Sequence, residues 1–113
     1  MTDTAFWLFI DDVRSAPSSE WVVVRSSSDA IAVIKERGCP ARISFDHDLG
    51  GSDTTMAVAR WLVDADLDAS GAFIPDDFVF SIHSANPVGV ANIRGLLEGY
   101  LSYKAKNRDS TRD

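Results

Sequence analysis

The sequence predicts a small three-layer α/β domain with a mainly parallel, four-stranded sheet, and three observations support that reading. Four short apolar runs show no polar alternation, helix-period segments separate or follow three of them, and polar residues gather just past the ends of three runs. Continuous β-branched and aromatic runs suit strands covered on both faces, as in a parallel sheet with helices on each side.

The first run, FWLFI (6 to 10), opens directly onto Asp11 and Asp12. The stretch DDVRSAPSSE that follows is short, rich in Ser and Pro and not helical, so the first crossover is reduced to a loop. The second strand is WVVVR (21 to 25), and after it Ser27 or Ser28 can cap a helix with apolar Ala30, Ile31, Val33 and Ile34. Gly38 and Pro40 end that helix. The third strand, RISF (42 to 45), runs into Asp46, His47 and Asp48 and then breaks at Gly50 and Gly51. A second helix over about 54 to 65, capped by Asp53 or Ser52, places Val58, Trp61, Leu62 and Ala65 on one face.

An irregular connection, LDASGAFIPDD (67 to 77), leads to the fourth strand, FVFSI (78 to 82), which ends on His83 and Ser84. The third helix starts with Asn86 as N-cap and Pro87 at the first helical position, and its core face carries Ile93, Leu96, Leu97 and Tyr100. Gly95 and Gly99 read as a site of close helix packing, and Trp7, Trp21 and Trp61 as core residues. The domain spans 1 to 103, with 104 to 113 a polar tail that frays.

Cys39 is the one cysteine, which excludes an intrachain disulfide and a multi-cysteine zinc site and suits a reducing cytoplasm. The N-terminus carries no basic segment and its apolar run is too short for a signal peptide or a membrane span, so a cytoplasmic protein is expected. A formal charge of -6 argues against broad binding of duplex nucleic acid, which relies on cations meeting phosphates. A small phosphorylated ligand or a single nucleic-acid end remains open if local groups receive the anion.

In a parallel sheet the C-terminal strand ends share one edge, where ligands of open α/β sheets bind. If the first and third strands are neighbours, Asp11, Asp12 and Asp46 converge there. Two carboxylates 4 Å apart repel by about 4 kcal/mol at an effective dielectric near 20. A divalent cation relieves this, and an all-oxygen donor set favours Mg²⁺, Mn²⁺ or Ca²⁺; the other relief is a raised carboxyl pKa. The start of the third helix, with Ser84 and Asn86, offers donors to a phosphate, and His47 and His83 can move protons.

Each motif also has a purely structural reading. Asp11 and Asp12 can form a turn, Asp48 can serve the turn at Gly50, Asn86 is an ordinary N-cap, and His83 can be a hydrogen-bonded core residue. Arg14 is either a solvated loop cation or an internal partner of the aspartates.

The motifs FIDDVRSAP, ISFDHDLGG and IHSANPVG, in this order and spacing, resemble the cyclic-phosphate processing receiver domain family over about residues 6 to 101. The resemblance implies a receiver-like, flavodoxin-like domain, truncated because no fifth strand with its lysine follows the third helix. It implies that Asp11 and Asp12 bind metal, that Asp46 binds metal or acts as nucleophile, and that Ser84 contacts phosphate. His47, Asp48, His83 and Asn86 match the family's own DHD and HSxNP pattern.

The resulting expectation is a metal-dependent phosphoesterase acting on an RNA 2',3'-cyclic end or a cyclic nucleotide. Asp11, Asp12, Asp46 and Asp48 are the candidate ligands of Mg²⁺ or Mn²⁺, Asp46, His47 and His83 the catalytic candidates, and Arg14, Ser84 and Asn86 the substrate-binding candidates. A different class is a non-catalytic receiver-like module that holds a nucleotide or docks on a partner protein, as in phage or defence systems. A stand-alone phosphorylated receiver ranks third.

Overall fold

The computed structural model describes residues 5–46, 48–49 and 53–111. Four parallel strands, β1 (Trp7–Ile10), β2 (Trp21–Val24), β3 (Arg42–Phe45) and β4 (Val79–Ile82), form one sheet in the order β2-β1-β3-β4. Three helices accompany them, α1 (Ser27–Arg37), α2 (Met56–Asp68) and α3 (Pro87–Thr111). Each apolar run of the sequence is a strand, β1 lies beside β3, and no helix joins β1 to β2.

The sequence predicts helices on both faces of the sheet, but among the described residues all three pack on one. Ala30 and Ile34 of α1, Val58 and Leu62 of α2, and Ile93 and Leu97 of α3 share a single core with Leu8, Ile10, Ile43 and Phe45. The crossovers from β2 to β3 and from β3 to β4 run the same way across the sheet, and right-handed connections therefore fall on the same side. The β1–β2 connection runs the other way and would cover the opposite face, yet it is the Ser- and Pro-rich loop. This layer is thin, and the expectation of three layers is corrected to a sheet with one helical layer.

The strand runs read as two-sided because the outer face covers itself with aromatic rings. Trp7 and Trp21 lie 5.3 Å apart, Phe9 and Trp21 5.9 Å, and the Arg42 guanidinium sits 4.9 Å over the Trp7 ring. Trp61 alone of the three tryptophans packs against the helical core.

Local chemistry shifted several boundaries. Ser26, rather than Ser27 or Ser28, caps α1 by accepting from the Asp29 N–H at 3.1 Å, and Gly38 closes the helix at φ 91, a conformation that favours glycine. Asp53 does not cap α2; its carboxylate instead accepts from the backbone and hydroxyl of Ser27, tying the start of α1 to the β3–α2 loop. Ser52, the other candidate cap, lies outside the described residues. A Cβ added at Gly95 or Gly99 would meet nothing within 4 Å, so these glycines do not mark a close helix contact. The helix α3 continues through residue 104, where the sequence suggested a tail, and Lys104 donates to the Ile74 carbonyl at 2.7 Å.

Cys39 is half-buried, and burial together with the nearby Asp66 charge pushes its thiol up to about 12. Thiolate is the reactive form. The native protein is therefore expected to resist a disulfide reagent at pH 8 and to react fully once denatured, as followed by absorbance.

Candidate functional site

The site grows out of the alternation of the sheet. On the face without helices, Trp21, Trp7, Arg42 and Val79 form one row across the four strands, and Val23, Phe9, Ser44 and Ser81 form the next. The ladder runs one residue beyond the strands: Asp11 N–H donates to Val24 O at 3.1 Å, Asp46 N–H to Ile10 O at 2.9 Å, and His83 N–H to Phe45 O at 2.8 Å. Since side chains repeat every second residue, a third row follows at the C-terminal edge, made of Arg25, Asp11, Asp46 and His83.

Asp11 is the anchor of that row and is fully buried. One carboxylate oxygen accepts from the N–H groups of Val13 at 2.9 Å and Arg14 at 2.8 Å, and the other faces His83 Nε2 at 2.9 Å. Burial by itself would raise its pKa, but these backbone donors and His83 outweigh it and hold the carboxyl below the ordinary range. His83 is held at both ring nitrogens, one ring face and its carbonyl. Its Nδ1 lies 2.7 Å from Ser44 Oγ, its ring stacks on Phe9 at 4.6 Å, and its carbonyl accepts from Arg14 Nη1 at 2.8 Å.

Asp46 shows the opposite shift. Burial raises its pKa first and the Asp11 charge second, with Asp12 adding to the rise and His83 and Arg14 opposing it. One ligand atom from each of Asp11, Asp46 and His83 lies within 4.8 Å of the others, a group that could hold a metal ion. The donor set fits a hard cation through its two carboxylates. His83 fits less well as a ligand, because Nε2 is already engaged by Asp11.

A sequence model of the cyclic-phosphate processing receiver domain fits residues 6–99. The chain belongs to that family. Comparison with curated proteins and comparison with solved structures each gave no match.

As a member of the cyclic-phosphate processing receiver family, the chain places its motif residues in two groups. The first is the convergent set just described, with Arg14 beside it: its Nε lies 3.9 Å from Asp11 Oδ2, so it is a partner of the aspartates. Asp12 contributes charge to Asp46 but is not among the three residues whose ligand atoms converge. The second group lies at the start of α3. Asn86 Oδ1 accepts from Gly89 N–H at 3.0 Å and its Nδ2 donates to Asp48 Oδ2 at 3.2 Å, while Ser84 Oγ accepts from Asn86 N–H at 3.0 Å. Asp48 is thus turned to Asn86 and is outside the convergent set. His47 lies outside the described residues.

This second group narrows what the helix start can offer a phosphate, since Pro87 has no N–H and that of Gly89 is taken by the Asn86 cap. Two residues at the site escaped the sequence reading. Ser44 sits inside an apolar run, and Arg25 ends another while donating to the carbonyls of Asp11 at 3.1 Å and Arg14 at 2.7 Å. Counting back by two from Asp46 would have found Ser44, and the third row would have found Arg25. Among the described residues no helix is long and apolar enough to cross a membrane.

Proposed function

We propose that the protein is a metal-dependent phosphoesterase that opens a cyclic phosphate, either an RNA 2',3'-cyclic end or a cyclic nucleotide. The observation that carries this reading is the placing of His83 between Asp11 and Ser44, with Asp46 next to them. Asp11 and Asp46 would hold Mg²⁺ or Mn²⁺, which when bound supplies charge stabilisation to the phosphoryl oxygens.

Hydrolysis forms a bond from water oxygen to phosphorus and breaks one ring P–O bond, leaving a phosphate monoester. One proton must leave the water and one must reach the departing oxygen. The second proton can come from His83 by way of Ser44: the hydroxyl gives its proton to the departing oxygen and takes the one on Nδ1, while Asp11 holds Nε2. The Ser44 hydroxyl accepts from Nδ1–H in the charged state and donates to Nδ1 in the neutral one, so the ring keeps its orientation through the transfer. Asp46, beside Asp11 and His83, is placed to accept the proton that leaves the water. Arg14 adds a cation beside the phosphate position.

A second reading is a module that holds the phosphate without reaction, favoured by the prior engagement of both ring nitrogens of His83. Incubation with 2',3'-cyclic and 3',5'-cyclic nucleotides in Mg²⁺ or Mn²⁺, followed by phosphorus NMR, separates the two. Monoester product that disappears with chelator is the expected result. Binding without product establishes the second reading, and neither binding nor product removes both.

A further inference from the structure

We propose that the aromatic face of the sheet beside the site binds single-stranded RNA, so that the phosphate handled at the edge is the end of a strand and not a free cyclic nucleotide. This rests on the function proposed above and specifies its substrate. The surface is continuous with the site, because both belong to one face of the sheet. Phe9 of the middle row stacks under the His83 ring at 4.6 Å with the planes 4° apart, and Ser44 of the same row bonds its Nδ1. A strand whose terminal phosphate lay at Asp46 and His83 would pass over these rows.

The side chains there suit bases and phosphates. Trp7 and Trp21 are half-buried with Arg42 over Trp7, and Arg42 and Ser81 are exposed. Aromatic rings and guanidinium planes stack on any base, which is how strands are held without regard to sequence. The four strands contain no acidic residue, although the chain carries a net charge of -6. Their one charged side chain is Arg42, and Arg25 and Arg14 stand at the edge nearest the site. The strand rows therefore set no carboxylate of their own against a polyanion. From Trp7 to Asp11 the chain advances about 13 Å at ~3.3 Å per residue, a longer path than one nucleoside covers. A cyclic phosphate at an RNA end requires the ribose 2'-hydroxyl, which selects RNA over DNA.

Tryptophan fluorescence titration in Mg²⁺ tests this with two non-reacting probes, uridine 3'-monophosphate and a short oligouridylate ending in a 3'-phosphate. The oligonucleotide is expected to bind at least roughly tenfold more tightly, and Trp21→Ala and Arg42→Glu each to cut its affinity by roughly tenfold while leaving the mononucleotide unchanged. Thermal melts show which variants are folded. If Trp21→Ala is not, the exposed Arg42→Glu decides. Equal affinity for the two probes overturns the RNA surface and leaves the phosphoesterase reading standing, whereas binding of neither removes both. Concentration-dependent dimers in sedimentation, dissolved by Val23→Asp and unaffected by the oligonucleotide, would assign the face to a second copy of the chain and also overturn the proposal.

Discussion

Asp46→Asn is expected to abolish metal-dependent turnover of a cyclic phosphate and, in the same protein, to raise the melting temperature of the metal-free form at pH 7. The loss in kcat is expected to be on the order of 10²–10³-fold or more, the scale seen when one group that stabilises transition-state charge is removed. The stability gain follows from the sign of the pKa shift. Burial and the Asp11 charge raise Asp46, so the fold favours its protonated form. Its contribution to stability is complete below the ordinary carboxylate range and is lost as pH rises through the raised value. Asparagine stays permanently on the low-pH side of that change. Mg²⁺ or Mn²⁺ that binds only the native state is expected to raise the wild-type melting temperature and to leave that of the variant nearly unmoved. Calorimetry with and without chelator measures both effects, and a variant less stable than wild type in chelator would refute the account of Asp46.

The largest stability effect lies away from the site, at Asp66. This carboxylate on α2 is fully buried and accepts from the N–H groups of Phe73 at 2.9 Å and Ile74 at 2.7 Å, from the Tyr100 hydroxyl, and from Lys104 Nζ at 3.1 Å. It thereby joins α2, the loop before β4 and α3. Asp66→Ala leaves two backbone donors, a phenol and an ammonium group without their acceptor. The expected cost is about 3–5 kcal/mol, a large share of the roughly 5–15 kcal/mol that holds a domain together. Chemical denaturation measures it, and a loss below about 1 kcal/mol would contradict the role given to Asp66.

Acid titration offers a separate check. Burial alone would raise Asp66, but the Ile74 N–H, Tyr100 and Lys104 bring it below the ordinary carboxylate value. A depressed folded value means that the stabilisation is complete above the unfolded pKa near 3.9 and disappears as pH falls through the folded one. Stability from this group is therefore flat between pH 5 and 7 and is lost only in stronger acid. Asp66→Asn is expected to remove that acid-limb component and leave the slope near neutrality unchanged.

The strands and the site were legible for different reasons. Short apolar runs such as WLFI and RISF read as strands, and the acidic residues just beyond them could converge only if β1 and β3 were neighbours, which the sheet order makes them. What hydrophobicity could not say is what covers each side. Trp7, Phe9 and Trp21 are as apolar as Leu8 or Ile43, yet they face away from the helices and shield one another. Caps were ambiguous because Ser26, Ser27 and Ser28 have the same chemistry. The choice fell to Ser26 when Asp53 engaged Ser27. Asp11, Asp46 and His83 announced themselves through charge and position, whereas Ser44 hid inside a strand and became visible only through its bond to the ring.

The stacking of three rows on one side of the sheet makes the strands into a ruler whose parity matters more than its composition. Exchanging Ile10 for valine would alter little, but deleting it would swing the Asp11 carboxylate from the shared edge to the helix-covered side. Phe9 would still be present, no acid would have been mutated, and the group with His83 would be gone. Drift within this lineage is therefore expected to run through substitutions in β1, β3 and β4, with insertions and deletions confined to the loops between them.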